Sequence, residues 1–302
     1  MNATEQARFD GLYAAMLRAL KLQGKAPKTQ QGYARAVRRA AGFFDRCPDD
    51  LSAEDLRVYF ADFLETRSAS SVNIERCGLQ FFYRYVLERP WNWEKIVKAR
   101  RPQRLPDILT REEVHALLAS VRKLRYRVFF ILLYSTGLRL AEGLALEAGD
   151  IDADRMRIHV RSGKGDKDRF VPLTEPLLLL LRRWWKLHEH PRLLFPNTVG
   201  SPERVRATTE TMDRGGVQAA LKAAVKGRGI RLRITVHSLR HCFSTHMLEL
   251  GVDLRELQTI LGHTRPETTA RYTHLTDVTA AQARERQGGL MEGFVLAWRD
   301  LA

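Results

Sequence analysis

Residue types that suit phosphate chemistry lie close together between positions 237 and 272. The text HSLRH places His237 and Arg240 within one helical turn, LGH ends in His263, and RYTH contains Tyr272. An arginine guanidinium fits two phosphate oxygens, a histidine exchanges a proton near neutral pH, and a tyrosine phenol can act as a covalent nucleophile. This combination indicates a site that binds one phosphate group and attacks it.

Further charged residues of interest lie upstream. Arg139 comes shortly after an apolar run that ends at Gly137, and Glu142 lies three positions further on, where it can hold the arginine if both side chains face inward. Lys164 lies between two glycines in the turn text SGKGDKD, which would let the chain approach a ligand closely. The turn lacks the GxxxxGK[ST] spacing of a P-loop, so we do not assign nucleotide binding to it.

The same histidines could suggest a metal site, because His237 and His241 form an H-x-x-x-H pattern. A zinc metalloprotease places a glutamate directly after the first histidine, but Ser238 occupies that position here. Arg240 lies between the two rings, and its charge would repel a cation. We therefore expect neither a metal nor another cofactor.

Several elements must position these residues. Apolar residues recur at helical spacing over positions 29–44, 52–64 and 74–86, with arginines on the flank of the first segment. They predict a small helical bundle in the first hundred residues. The text KIVKARRPQRLP from position 95 is basic and contains two prolines, which indicates an extended linker, either a solvated hinge or a segment that contacts phosphates.

The second half alternates between helical patterns and one strand pair. Thr110 with Glu113 predicts a helix start, and the apolar run from Val128 to Tyr134 predicts a buried helix. Residues 156–160 and 170–173 predict a β-hairpin, and positions 177–185 another helix. We interpret 191–216 as a long surface loop. The predicted fold class is mainly α with a small antiparallel β-sheet.

The composition limits the partners of the chain. Its 302 residues carry a formal net charge of +15 with 44% hydrophobic residues, which favours a globular protein that binds a polyanion. The first residues lack the pattern of a signal peptide, and no apolar run is long enough for a membrane span, so we expect a cytoplasmic protein that does not bind membranes. Cys47, Cys77 and Cys242 are too few and too widely spaced for a disulfide framework, and we interpret them as core thiols.

Over nearly its whole length the chain resembles the tyrosine recombinase family. The resemblance is carried, in order, by TGLRLAE, SGKGDKDRFVPL, HSLRHCFSTHML, LGH and TTARYTH. The Xer and phage-integrase type is the most similar, because His263 stands where other members have tryptophan. The resemblance implies an N-terminal helical core-binding bundle over 1–97, a basic linker over 98–108 and an α+β catalytic domain over 109–288.

The resemblance also implies a mechanism and a set of catalytic residues. Tyr272 would attack a DNA phosphodiester and form a 3′-phosphotyrosine, and the 5′-hydroxyl of another strand would reverse the step through a Holliday junction. The two arginines would neutralise the phosphate oxygens, the lysine would protonate the leaving oxygen, His237 would help to move the tyrosine proton and His263 would bind the phosphate. The implied catalytic residues are Arg139, Lys164, His237, Arg240, His263 and Tyr272.

An assembly follows from the same resemblance. Residues 289–302 form an apolar helical pattern that we expect to dock on a neighbouring protomer, within a homo-tetramer assembled on two double-stranded DNA sites. Such an enzyme would associate with the bacterial nucleoid and serve integration or another rearrangement, as in mobile genetic elements. Two alternatives are DNA relaxation by a type IB topoisomerase-like enzyme and a DNA-binding protein of the same fold without catalysis.

Overall fold

In the computed structural model the chain forms two compact units, Met1–Arg104 and Leu105–Ala302, and the structure describes residues 1–90, 97, 106–161, 168–262 and 269. Each unit has a hydrophobic core of its own. The prediction of a mainly α fold with a small antiparallel sheet is confirmed. No helix in the described part of the chain has both the length and the hydrophobicity to cross a bilayer.

The first unit is a helical bundle, as predicted. Side chains of Asn2, Ser52 and Ser68 accept hydrogen bonds from backbone N–H groups in the first turns of three of its helices, so sequence signals fix where these helices begin. The first of these helices was not predicted from the sequence. The described helices are α1 Ala3–Leu22, α2 Pro27–Phe44, α3 Ala53–Thr66 and α4 Ala69–Tyr85.

Helices α2 and α4 pack closely around a buried carboxylate. Glu75 is fully buried, and its Oε1 accepts hydrogen bonds from the Tyr59 hydroxyl at 2.7 Å and from Arg39 Nε at 3.2 Å. A second nitrogen of Arg39 binds the other carboxylate oxygen. A buried charge is tolerated only when it is paired and hydrogen-bonded, so these contacts hold the core of the first unit together.

The second unit contains eight helices and three strands among its described residues. The strands form an antiparallel sheet in the order β1-β2-β3, with Ile158 opposite Val171. The predicted hairpin is therefore confirmed, and β1 adds a strand that the sequence analysis did not predict. The elements are α5 Arg111–Ala119, α6 Leu124–Thr136, α7 Leu140–Ala145, β1 Ile151–Asp152, β2 Arg157–Val160, β3 Arg169–Pro172, α8 Glu175–Trp185, α9 Pro202–Ala207, α10 Arg214–Gly227, α11 Val236–Glu249 and α12 Leu254–Leu261.

Helix α6 lies at the centre of this unit, where α5, α7, α8 and α11 pack against it. It is apolar nearly all round, as predicted, and ends at Gly137, whose φ is 64°. A Cβ atom on Gly137 would lie 2.4 Å from a ring carbon of Phe243, so only glycine fits between α6 and α11. The chain thereby turns sharply just before Arg139.

The interpretation of 191–216 as a long surface loop is wrong. Leu194 and Phe195 are buried in the core, and α9 lies within the segment. The buried backbone is satisfied locally: Nδ1 of His190 accepts from the N–H groups of Arg192 and Leu193 at 3.0 and 2.8 Å. A segment rich in turn residues can enter a core when its polar backbone groups find such partners.

The cysteine prediction is confirmed for two of the three residues. Cys47 and Cys242 are buried, whereas Cys77 is half-buried. Burial raises the pKa of the Cys242 thiol, so this group favours its neutral form.

The buried carboxylate of the first unit yields a stability prediction. We expect Glu75→Gln to lower the free energy of unfolding by about 2 kcal/mol, because it weakens hydrogen bonds to a charged group. Urea unfolding followed by circular dichroism measures the change. The matched control is Glu54→Gln, since Glu54 is exposed and pairs with Arg57 on the surface of the same unit. The control should change stability by less than about 0.5 kcal/mol, and equal losses in the two variants would contradict the role of Glu75.

Candidate functional site

The structure describes three of the six predicted site residues. Arg139, His237 and Arg240 all belong to the second unit. Lys164, His263 and Tyr272 lie outside the described residues, so their roles remain predictions.

Arg139 is held by Glu142, as the i, i+3 spacing predicted. Arg139 caps α7: its backbone N–H donates to Glu142 Oε2 at 2.9 Å, and its Nη1 donates to Oε1 at 2.6 Å. The side chain of Glu142 is only 7% exposed and that of Arg139 is 23% exposed. The guanidinium is thus fixed on its protein side while part of it remains accessible to solvent.

A second arginine, which the sequence analysis missed, binds the same carboxylate. Arg169 begins β3, and its Nη1 and Nη2 donate to the two oxygens of Glu142 at 3.1 and 2.8 Å. Its Nε donates to the carbonyl of Ile260 in α12 at 3.0 Å. The only signal in the sequence was a charged residue at the start of an otherwise apolar strand.

The electrostatics of Glu142 reflect both arginines. Burial by itself would raise the pKa of this carboxyl group, but hydrogen bonds from Arg169 and from the Arg139 backbone, together with the charges of both guanidinium groups, outweigh it. The net result lowers the pKa of Glu142 to about 2. The carboxylate is therefore ionised at neutral pH and joins α7 to β3.

Arg240 is buried, with 1% of its surface exposed. Its Nη1 donates to the carbonyl of Gly137 at 2.5 Å, and its Nη2 donates to the carbonyl of Leu261 at 2.7 Å. These carbonyls lie at the ends of α6 and α12, where the helix dipoles favour a positive charge. Arg240 therefore ties the ends of two helices to α11.

His237, Arg240 and His241 lie within about one turn of α11, but their side chains have different surroundings. The two histidine rings do meet, with centroids 4.5 Å apart and in a T-shaped arrangement. His237 is exposed, His241 is half-buried and Arg240 is buried. A long guanidinium stem can turn into the core from a position where an imidazole remains at the surface.

Arg139 and His237 line the same cavity, which has a volume of about 650 Å³. Apolar side chains such as Leu138 and Leu221 also line it. Further basic residues belong to its lining, and all of them are exposed: Arg214, Lys222 and Arg233. The arrangement suits an anionic group that contacts Arg139 and His237. It also suits a ligand with further negative charges, because three more basic residues line the cavity.

The end of α12 lies against the same network. Gly262 ends the helix with φ of 61°, and a Cβ atom there would lie 2.8 Å from Cδ of Arg169. The close approach and the left-handed backbone both require glycine at this position. His263 follows directly in the sequence.

The chain is similar in sequence to known protein families. Residues 107–278 match the phage integrase family, and residues 12–93 match the phage integrase N-terminal SAM-like domain. The chain is 34% identical to tyrosine recombinase XerA of Thermococcus onnurineus over 279 residues, which covers 91% of this chain and 94% of the relative.

Solved structures share the fold. A crystal structure of the XerH site-specific recombinase bound to palindromic difH substrate, a post-cleavage complex, has a TM-score of 0.67 at 22% identity and covers 88% of this chain and 82% of that one. A lambda integrase dimer bound to a COC' core site has a TM-score of 0.69 at 17% identity and covers 90% of this chain and 81% of that one.

The lowered pKa of Glu142 yields a prediction about pH. Its pKa is about 2 in the folded protein against an ordinary 4.5, so the stabilisation is complete above pH 4.5 and is lost as the pH falls towards 2. We expect Glu142→Gln to cost about 3 kcal/mol of unfolding free energy at pH 6 and progressively less below pH 4.5. Urea unfolding at several pH values measures this difference. A difference that stays constant down to pH 2.5 would contradict the proposed ionisation.

Proposed function

This chain belongs to the phage integrase family and is a tyrosine-type site-specific recombinase, an enzyme that cuts and rejoins DNA, and we propose that Tyr272 is its nucleophile. The observation that carries the proposal is the basic cavity that Arg139 and His237 both line. In this cavity a phosphodiester would meet a fixed guanidinium and an exposed imidazole. Tyr272 follows in the sequence within the matched family region.

The proposed reaction exchanges one phosphoester for another. The phenol oxygen of Tyr272 attacks phosphorus, a 3′-phosphotyrosine forms, and the 5′-oxygen of the broken strand leaves with a proton. The 5′-hydroxyl of a second strand then attacks the phosphotyrosine and releases the phenol, and two such exchanges pass through a Holliday junction. Since each step breaks and forms one phosphoester, the bond energy is conserved and no nucleotide hydrolysis is needed.

The arginines are proposed to stabilise the charge on the phosphate. Arg139 and Arg240 are both held by protein acceptors, which fix their guanidinium groups before a phosphate arrives. A donor fixed in this way contributes about 3 to 4 kcal/mol to the stability of a charged transition state.

The other residues are proposed to move protons. Lys164 would protonate the leaving 5′-oxygen, and His237 would help to take the proton from Tyr272, each accelerating the step by about a hundredfold or more. His263 would donate a hydrogen bond to the phosphate. His237 is exposed and lines the same cavity as Arg139, which supports its part in this scheme.

Each unit presents a basic surface that supports double-stranded DNA as the partner. In the second unit the exposed residues Arg214, Lys222 and Arg233 line the same cavity as Arg139 and His237. In the first unit Lys28, Arg35 and Arg67 line a separate cavity of about 650 Å³ between α2 and its neighbouring helices. Basic side chains at these positions would bind phosphates and make the affinity fall as salt rises.

The basic surface on each unit also supports a division of labour along the chain. We propose that residues 1–97 bind the core site and that residues 98–108 form a basic linker. Residues 109–288 would carry out catalysis, and residues 289–302 would mediate assembly. A homo-tetramer on two DNA sites would bring four nucleophiles to four strands. While bound to DNA the protein would associate with the nucleoid.

The nucleophile is tested by trapping. The target is first located by footprinting on DNA next to the gene, and a nicked version of that site then lets the released fragment diffuse away so that covalent protein accumulates. We expect wild-type protein to form this adduct, and Tyr272→Phe to bind the DNA with unchanged affinity but to form none. Denaturing gels detect the adduct. Tyr85→Phe, a change at an exposed tyrosine of α4, serves as the control and should react normally. An adduct from Tyr272→Phe would refute the assignment.

The proposed assembly is tested by truncation. Removal of residues 289–302, which lie outside the described residues, should leave binding to a single half-site unchanged. It should abolish the cooperative step to higher complexes in a gel-shift titration, because docking between protomers would be lost. Cooperative assembly by the truncated protein would contradict the docking role.

A further inference from the structure

Arg169 belongs to one structural element, and its side chain binds two others. It begins β3, its two terminal nitrogens bind Glu142 in α7, and its Nε binds the Ile260 carbonyl in α12. The side chain is only 10% exposed. A planar guanidinium with donors on two edges can make all of these contacts at once, which a lysine ammonium cannot do in the same geometry.

The two arginines together saturate Glu142. Its Oε1 accepts from Arg139 Nη1 and Arg169 Nη1, and its Oε2 accepts from the Arg139 backbone and Arg169 Nη2. A carboxylate offers about four lone-pair sites, and each of these is occupied. The position of the Arg139 guanidinium therefore depends on a carboxylate whose other side is fixed by Arg169.

The charges give Arg139 a second reason to depend on Arg169. Glu142 and Arg139 alone would sum to zero, and a neutral pair attracts a phosphate far less than an unpaired arginine does. With Arg169 the buried cluster of two arginines and one carboxylate carries a net charge of +1. The accessible part of this cluster is Arg139, because its side chain is 23% exposed against 10% for Arg169.

We propose that Arg169 is a positioning residue for DNA cleavage: it fixes Glu142 and balances its charge, so that Arg139 offers an undiminished positive charge to the phosphate. This inference rests on the proposed role of Arg139. Through Ile260 and its close contact with Gly262, Arg169 also sets the end of α12, from which His263 follows.

The test compares two nicked substrates in single-turnover cleavage. One carries the natural phosphodiester and the other a methylphosphonate at the cleaved position, in which a neutral methyl group replaces a charged oxygen. Stabilisation by a positive charge matters much less for the neutral substrate, whereas general damage to the site slows both equally. Rates are measured at saturating protein, and DNA affinity is measured separately by titration.

We expect Arg169→Met, which keeps the length of the stem and removes the charge, to slow cleavage of the phosphodiester by about a hundredfold, as loss of one oxyanion donor does. Cleavage of the methylphosphonate should fall by less than about tenfold, and the DNA affinity should stay within about threefold. Arg157→Met is the matched control, since Arg157 lies on the adjacent strand β2 and pairs with Asp152 at 2.9 Å near the surface. It should cleave both substrates at wild-type rates.

Two further variants separate the possible failures. Arg139→Met should show the same selective loss; if it does and Arg169→Met slows both substrates equally or neither, the inference is wrong and the proposed function stands. If Arg139→Met is itself unselective, the proposed role of Arg139 fails and the inference fails with it. Where Arg169→Met does not fold, Arg169→Lys decides, because it keeps the charge but cannot make all three contacts. A loss confined to the phosphodiester substrate supports the proposal, and equal slowing of both substrates, or of neither, contradicts it.

Discussion

The structure of the site depends on one buried carboxylate shared by two arginines. Glu142 is 7% exposed, and its two oxygens receive four hydrogen bonds from Arg139 and Arg169. A carboxylate in such surroundings is stable only while its partners stay in place, because an unpaired buried charge costs several kcal/mol. The start of α7, the start of β3 and, through Ile260, the end of α12 therefore keep fixed positions relative to one another.

A second buried arginine, Arg240, adds to the contacts of the Glu142 cluster. Arg240 binds carbonyl oxygens at the ends of α6 and α12. The end of α12 is therefore bound both by Arg240 and by Arg169 of the Glu142 cluster. Both proposed phosphate ligands thus have their partners before any substrate binds. A site of this kind stabilises developing charge without reorganisation, which is the main source of electrostatic catalysis. The same contacts contribute to stability, so the fold and the chemistry of this recombinase share their determinants.

Much of this could be predicted from sequence, because local spacing carries the information. The contact between Arg139 and Glu142 follows from an i, i+3 relation, and the helix ends at Gly137 and Gly262 follow from glycine in the left-handed region. The contacts that were missed join distant parts of the chain. Arg169 lies 27 positions from Glu142, and the acceptors of Arg240 are backbone carbonyls 103 and 21 positions away, which no side-chain pattern marks. The buried course of residues 191–216 was missed for a similar reason, since His190 satisfies its backbone through a turn with no periodic signal.

The central claim is that Glu142 and Arg169 act as one unit on Arg139. A double-mutant cycle on the cleavage rate tests it most directly, with Glu142→Gln, Arg169→Met and the two combined. Residues that share one network show a coupling free energy of about 0.5 to 3 kcal/mol, so the double variant should cleave the phosphodiester no more slowly than the slower of the two single variants. Losses that multiply, with no coupling between the two substitutions, would contradict the account.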